Sequence, residues 1–155
     1  MDSELSKSNL NMEIIFGLYN ILLADEYVLY TKTRHAHWYI EQQSFVEGTR
    51  FIEKQVVSLD VIIDDIAEQA LNNRFIPPIS MREFLKITRL NEWEHELKSD
   101  QIIQELVRDH EKIIIILKKD ILSLSDINDL KHQKFLTNLL TKHQQIAKTL
   151  SASLS

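Results

Sequence analysis

The stretch FIEKQVVSLDVIIDDIAEQA, residues 51–70, decides the fold. Its apolar positions are Ile52, Val56, Leu59, Ile63, Ile66 and Ala70. Steps of four and three lay these side chains along one side of an α-helix, as at the seam of a helix bundle. Upstream, Ser44-Phe45-Val46-Glu47 has the pattern of a capping box, in which Ser and Glu satisfy the unpaired N–H groups of a helix start. Downstream, Asn72 to Ile79 contains Pro77-Pro78 and cannot continue the helix.

The same reading extends outward in both directions. A first helix is expected from about Ser8 to His37 on Ile14, Leu18, Ile21, Leu22, Asp25 and Leu29. Ser80-Met81-Arg82-Glu83 is a second capping box and predicts a short helix from Met81 to Thr88. A third long helix is expected from Ser99 to Leu122 on Ile103, Leu106, His110, Ile113, Leu117 and Ile121. A fourth is expected from Asp126 to Leu150 on Leu136, Leu139, His143, Ile146 and Leu150. Four amphipathic helices bury their stripes together as an all-α four-helix bundle. The short extra helix falls in the connection between helices two and three. The 155 residues suit one domain with one core, over 1–155.

Composition agrees with this reading and removes several functions. Two Gly and two Pro favour long uninterrupted helices over a many-turned β fold. With no Cys there is neither a disulfide framework nor a thiolate metal site. No Gly-x-Ser-x-Gly elbow or phosphate-cradling glycine loop supports nucleophilic or nucleotide chemistry. The start Met1-Asp2-Ser3-Glu4 does not resemble a secretory signal, and the apolar run Ile113 to Leu117 is too short to span a membrane. A reducing cytoplasm is the expected compartment. The net charge of −5 opposes phosphate binding, and the first nine residues carry Asp2, Glu4 and only Lys7. The uncharged tail Leu150 to Ser155 adds no basic arm.

The candidate chemistry lies in His37-Trp38 and in Asp64-Asp65-Ile66-Ala67-Glu68. An imidazole with carboxylates is a borderline-to-hard ligand set that suits iron. Asp64 and Glu68, at i and i+4, share a helix face, with Asp65 turned to solvent. Such a pair also occurs as a plain solvated stripe, and His37 also suits a helix C-terminus through the dipole. Counted from Ser44, Asp64 lies about 30 Å along the second helix, whereas His37 stands near the opposite end. One chain cannot easily bring them to one ion. Two chains packed antiparallel about a twofold axis can, with Glu53 on the His37 side.

Other ligand types carry less. Glu92-x-x-His95 lies in a polar stretch with no second pair. His110 and His143 sit on apolar stripes and read as satisfied core histidines. His35 points about 200° away from His37 while the helix lasts.

The run Leu23-Ala-Asp-Glu-Tyr-Val-Leu-Tyr-Thr-Lys-Thr-Arg34, followed by His37-Trp38, closely resembles the first-helix signature of the Dps proteins, the ferritin-like mini-ferritins. The resemblance continues through Phe45, Phe51, Glu53, Leu59, Asp64, Ile66, Ala67 and Glu68. It resumes at Glu83-Phe84-Leu85 and Asp109-His110-Glu111-Lys112-Ile113-Ile114, and is weakest after Asp120. It implies a ferritin-like bundle that self-associates into a dodecameric shell. It implies oxidation of Fe(II) by hydrogen peroxide, ferric iron storage and protection from oxidative stress. Many such proteins also bind DNA, which the tails of this chain do not support. Position by position, His37 and Glu53 correspond to metal ligands of one subunit, and Asp64 and Glu68 to ligands of its neighbour. A bound oxidant would then take electrons from the iron, with Trp38 expected near enough to take part.

Three positions depart from the pattern. The family's second histidine falls at Thr49, a weak neutral oxygen ligand. Its usual glycine after the His-Trp pair falls at Gln42. An acidic residue beside the pore that admits iron falls at Lys134, which raises the barrier to a cation, although Asp126 and Asp129 are close by. These changes carry a second expectation, a shell weakened as a ferroxidase that serves as a DNA-binding or scaffolding particle. A third is zinc at the same ligands.

Overall fold

The computed structural model describes residues 1–42 and 46–154, and the side chains of residues 41–49 lie outside the description. The helices run in the order α1 Asp2–Gln42, α2 Val46–Asn72, α3 Met81–Ile87, α4 Ser99–Asp126 and α5 Leu130–Ala152. α1 pairs with α2, α4 pairs with α5, and α1 bridges the two pairs by also packing on α4. The short α3 lies on α1. This is the four-helix bundle with an extra helix in its middle connection. Among the described residues no helix is long and apolar enough to cross a membrane.

The α2 stripe is wholly internal: Ile52, Val56, Leu59, Ile63, Ile66 and Ala70 are all buried. The α5 stripe is buried in the same way at Leu136, Leu139, His143, Ile146 and Leu150. Burying each large aliphatic side chain contributes about 1.5–3 kcal/mol relative to leaving it in water.

α1 departs most from expectation. It starts near residue 2 rather than Ser8 and continues to Gln42 rather than stopping at His37. Its first turns bury nothing, so they carry no stripe to read, and Ile14 is exposed. No proline or glycine interrupts the backbone between Leu18 and Gln42.

The helix ends have local causes. After α2 the chain closes with Phe75 N–H to Ala70 O at 2.8 Å and Arg74 N–H to Leu71 O at 2.9 Å. Arg74 takes a left-handed φ of 62°. That is a Schellman turn without its usual glycine. α4 ends identically, with Asp129 N–H to Leu124 O, Asn128 N–H to Ser125 O, and Asn128 at φ 57°. α4 therefore runs four residues past Leu122, and α5 begins at Leu130, not Asp126. Asp129 caps it, accepting from His132 N–H at 3.0 Å. The capping box at Ser80 and Glu83 forms as the sequence predicts, whereas that at Ser44 lies outside the described residues.

Charged ties hold the connection between α3 and α4 to the bundle. Arg89 reaches Asp25 of α1 at 2.8 Å and Asp120 of α4 at 3.1 Å. Thr88 and the Arg89 N–H also donate to Asp25. Lys32 of α1 donates to Asn91 O at 2.7 Å and pairs with Asp109 of α4 at 2.6 Å.

Candidate metal site

α2 carries two faces. Besides the buried stripe, Glu53, Val57, Val61, Asp64, Glu68 and Leu71 are all exposed. At about 100° per residue, these six positions fall within an arc of about 80°, well away from the core side. Val57 is 60% exposed, Val61 50% and Leu71 60%. The carboxylates of Glu53, Asp64 and Glu68 thus share one outward face with three uncovered apolar side chains. Among the described residues, none of the three has an ion-pair or hydrogen-bond partner. Asp65 is turned away from them and pairs with Lys142 at 3.2 Å.

His37 is half-buried on α1, just over one turn before that helix ends. α1 and α2 pack together across a three-residue connection, so they run antiparallel. From Val46, Asp64 stands about 27 Å along α2, measured away from the end near His37. Among the described residues no group of three or more His, Asp or Glu converges to hold a metal ion. Within one chain, then, His37 and Asp64 are not partners. The donor chemistry still suits iron: one imidazole and three unpaired carboxylates, all reachable by solvent. Thr49 belongs to α2, but its side chain is outside the description.

Neighbouring aromatic groups are placed clearly. Trp38 is 55% exposed, with the Arg34 guanidinium 5.4 Å from its ring centre. The helix continues past His35, so His35 points away from His37 and instead meets Trp93 edge-on at 5.9 Å. Glu92 and His95 line a separate hollow of about 420 Å³ near Lys32 and Trp93.

His110 and His143 are core histidines, as their stripes predict, and their partner is a third residue. His143 Nε2 lies 2.6 Å from Glu26 Oε1, and its Nδ1 lies 2.9 Å from His110 Nδ1. Burial, then the neighbouring His143, holds His110 well below the ordinary imidazole range. Sequence reasoning missed Glu26. Its signal was position: it follows Leu22 by four and precedes Leu29 by three, on the side of α1 that is buried. Lys134 is exposed on α5.

The chain matches the ferritin-like domain family over residues 18–155. It is 32% identical over 135 residues to a low temperature-induced protein of Nostoc, covering 86% of this chain and 75% of that one. It is 27% identical over 146 residues to DNA protection during starvation protein 2 of Bacillus anthracis, covering 94% and 99%. Among solved structures, Dps from Thermosynechococcus elongatus superposes with a TM-score of 0.83 at 21% identity, covering 97% and 95%. The Vibrio cholerae Dps protein, described as one of the ferritin-like diiron-carboxylate proteins, gives 0.84 at 22% identity, covering 93% and 91%. At these identities the structures speak for the shared fold.

Proposed function

Because the chain belongs to the Dps family of ferritin-like proteins, we propose that it binds Fe(II) between subunits, oxidises it and stores the ferric product. Family membership supports iron storage and oxidative protection in general. The outward face of α2 carries the finer reading. Three unpaired carboxylates sit there among uncovered Val57, Val61 and Leu71. Exposed apolar side chains gathered on one face and flanked by polar ones mark a surface meant for a partner. A second copy, packed antiparallel across a twofold axis, brings its His37 end to this chain's Asp64 end. His37 and Glu53 of one subunit then face Asp64 and Glu68 of the other, and repetition of the contact leads to a dodecameric shell.

Iron is the substrate of this site. Two Fe(II) ions each give up one electron to hydrogen peroxide. The O–O bond breaks, two protons are taken up, and two waters leave. The carboxylates stabilise the growing positive charge on the metal, as hard oxygen donors do for Fe(III). Trp38, one residue from His37, stands beside the oxidant. Thr49 offers a neutral oxygen where the family has an imidazole, so the site binds iron less tightly than a two-histidine site.

The test is anaerobic Fe(II) addition to the assembled protein, followed by peroxide. Oxidation above a free-iron control is expected, falling to the control in Asp64→Asn/Glu68→Gln. Thr49→His is expected to accelerate it. A natural chain that oxidises no faster than free iron, with activity appearing only in Thr49→His, overturns the ferroxidase reading in favour of a bare shell.

A further inference from the structure

Outside the carboxylate face, the molecule contains a second arrangement suited to electron chemistry. Tyr19 of α1 is 2% exposed, and its hydroxyl lies 2.6 Å from His132 Nδ1 of α5. His132 is 4% exposed. No other acceptor reaches the phenol among the described residues, so the phenol donates and His132 Nδ1 accepts. The far ring nitrogen, Nε2, lies 4.0 Å from Asp129 Oδ2. Phe135 stacks on Tyr19 at 5.7 Å, and Phe75 stands 6.4 Å away, itself packed on Phe16. A buried phenol packed among aromatic rings is thus bonded to a base, with a carboxylate 4.0 Å from the far side of that base.

We propose that Tyr19 is a redox-active tyrosine, giving up an electron while its proton shifts to His132. The oxidant is a one-electron species of the hydroxyl-radical class, which iron and peroxide generate. The electron passes to that oxidant, reducing it to hydroxide. The O–H bond of Tyr19 breaks, an N–H bond forms at His132 Nδ1, and a neutral tyrosyl radical is left beside an imidazolium. Re-reduction of the radical returns the proton. The proposal does not depend on iron occupying the α2 face.

Three observations favour this residue. A phenol loses its grip on its proton when oxidised, so a hydrogen-bonded base at 2.6 Å lowers the barrier. Burial keeps His132 below the ordinary imidazole range, so it is neutral and free to accept. The start of α5 and Lys131 disfavour a cation there, but the Asp129 carboxylate faces the ring and offsets them. The competing rings are placed less well. Both tryptophans carry a cation over the ring face, Lys32 on Trp93 and Arg34 on Trp38, which raises the cost of a positive hole. Tyr27, Tyr30 and Tyr39 are half-exposed, and none bonds to a histidine side chain among the described residues.

The experiment uses iron-free protein and azide radicals generated by pulse radiolysis, read by transient absorption and freeze-quench EPR. The expected result is a long-lived neutral tyrosyl radical whose formation slows in D₂O. Tyr19→Phe, which keeps the ring and removes the hydroxyl, should abolish the long-lived signal. The triple variant Tyr27→Phe/Tyr30→Phe/Tyr39→Phe should retain it. His132→Gln, which retains a polar group without a basic nitrogen, should abolish the deuterium effect. An undiminished radical in Tyr19→Phe, its loss in the triple variant, or a persistent tryptophan radical overturns the proposal. Because no iron is present, each result is independent of the ferroxidase assay.

Discussion

Glu26 of α1 and His143 of α5 meet 2.6 Å apart, and both side chains are sealed from solvent. The contact joins the first and last helices across 117 positions of sequence. Its second oxygen, Glu26 Oε2, has no partner among the described residues. Removing Glu26 leaves the buried His143 Nε2 without its acceptor, while His110 keeps its contact with His143 Nδ1. Glu26→Ala is expected to cost about 3 kcal/mol, near the low end for breaking a buried pair. Glu26→Gln keeps an oxygen in place and should cost about 1 kcal/mol. Urea denaturation at fixed protein concentration separates the two.

The histidines set a direction with pH. Burial first, then the neighbouring His143, holds His110 well below 6.5, and burial likewise lowers His132. A lowered base binds fewer protons folded than unfolded, so its stabilisation is intact above the unfolded value. It is lost as pH falls through about 6.5 toward the folded value. Asp109 and Asp120 are raised, chiefly by burial, and act oppositely in a window nearer about 4. Urea midpoints should therefore fall as pH drops from about 7 to about 5. His110→Gln should flatten that slope while lowering stability by about 1–3 kcal/mol for the partner left unpaired.

Val61 is half-exposed on the same face as Asp64. Val61→Arg costs a lone chain little, because surface changes stay within about 0.5 kcal/mol. It should nevertheless prevent association across that face and reduce Fe(II) oxidation in parallel. Sedimentation velocity and the oxidation assay, run on one preparation, check this. Normal assembly with normal activity would place the subunit contact elsewhere.

Arg74 holds a left-handed backbone where glycine is the usual residue. Arg74→Gly should raise stability by about 0.5–1 kcal/mol, the strain of the left-handed region less the entropy glycine adds to the unfolded chain. Calorimetric melting of the two proteins checks the sign.

What the sequence revealed follows from which contacts repeat. The stripes Ile52 to Ala70 and Leu136 to Leu150 recur every three or four residues, so local spacing exposed them. The first turns of α1 touch no core and left no periodic trace. α5 starts at Leu130 rather than Asp126 because Asn128 takes the left-handed backbone that ends α4 and Asp129 caps the next helix, a boundary that apolar spacing does not mark. At the candidate site, Glu53, Asp64 and Glu68 were legible as residues, while their outward face became plain once Val57, Val61 and Leu71 were seen uncovered. The ties from Glu26 to His143 and from Arg89 to Asp25 join distant positions, and no local pattern announces such a pairing.

The non-helical connection between α3 and α4 is anchored at Arg89 and Asn91, and both anchors reach α1, with Arg89 also reaching Asp120 of α4. A loop fastened in this way cannot loosen without disturbing the helix that bears Tyr19 and His37. Amide exchange along it should follow the opening of the whole bundle rather than the rapid fraying of an ordinary surface loop, making the connection part of the cooperative unit.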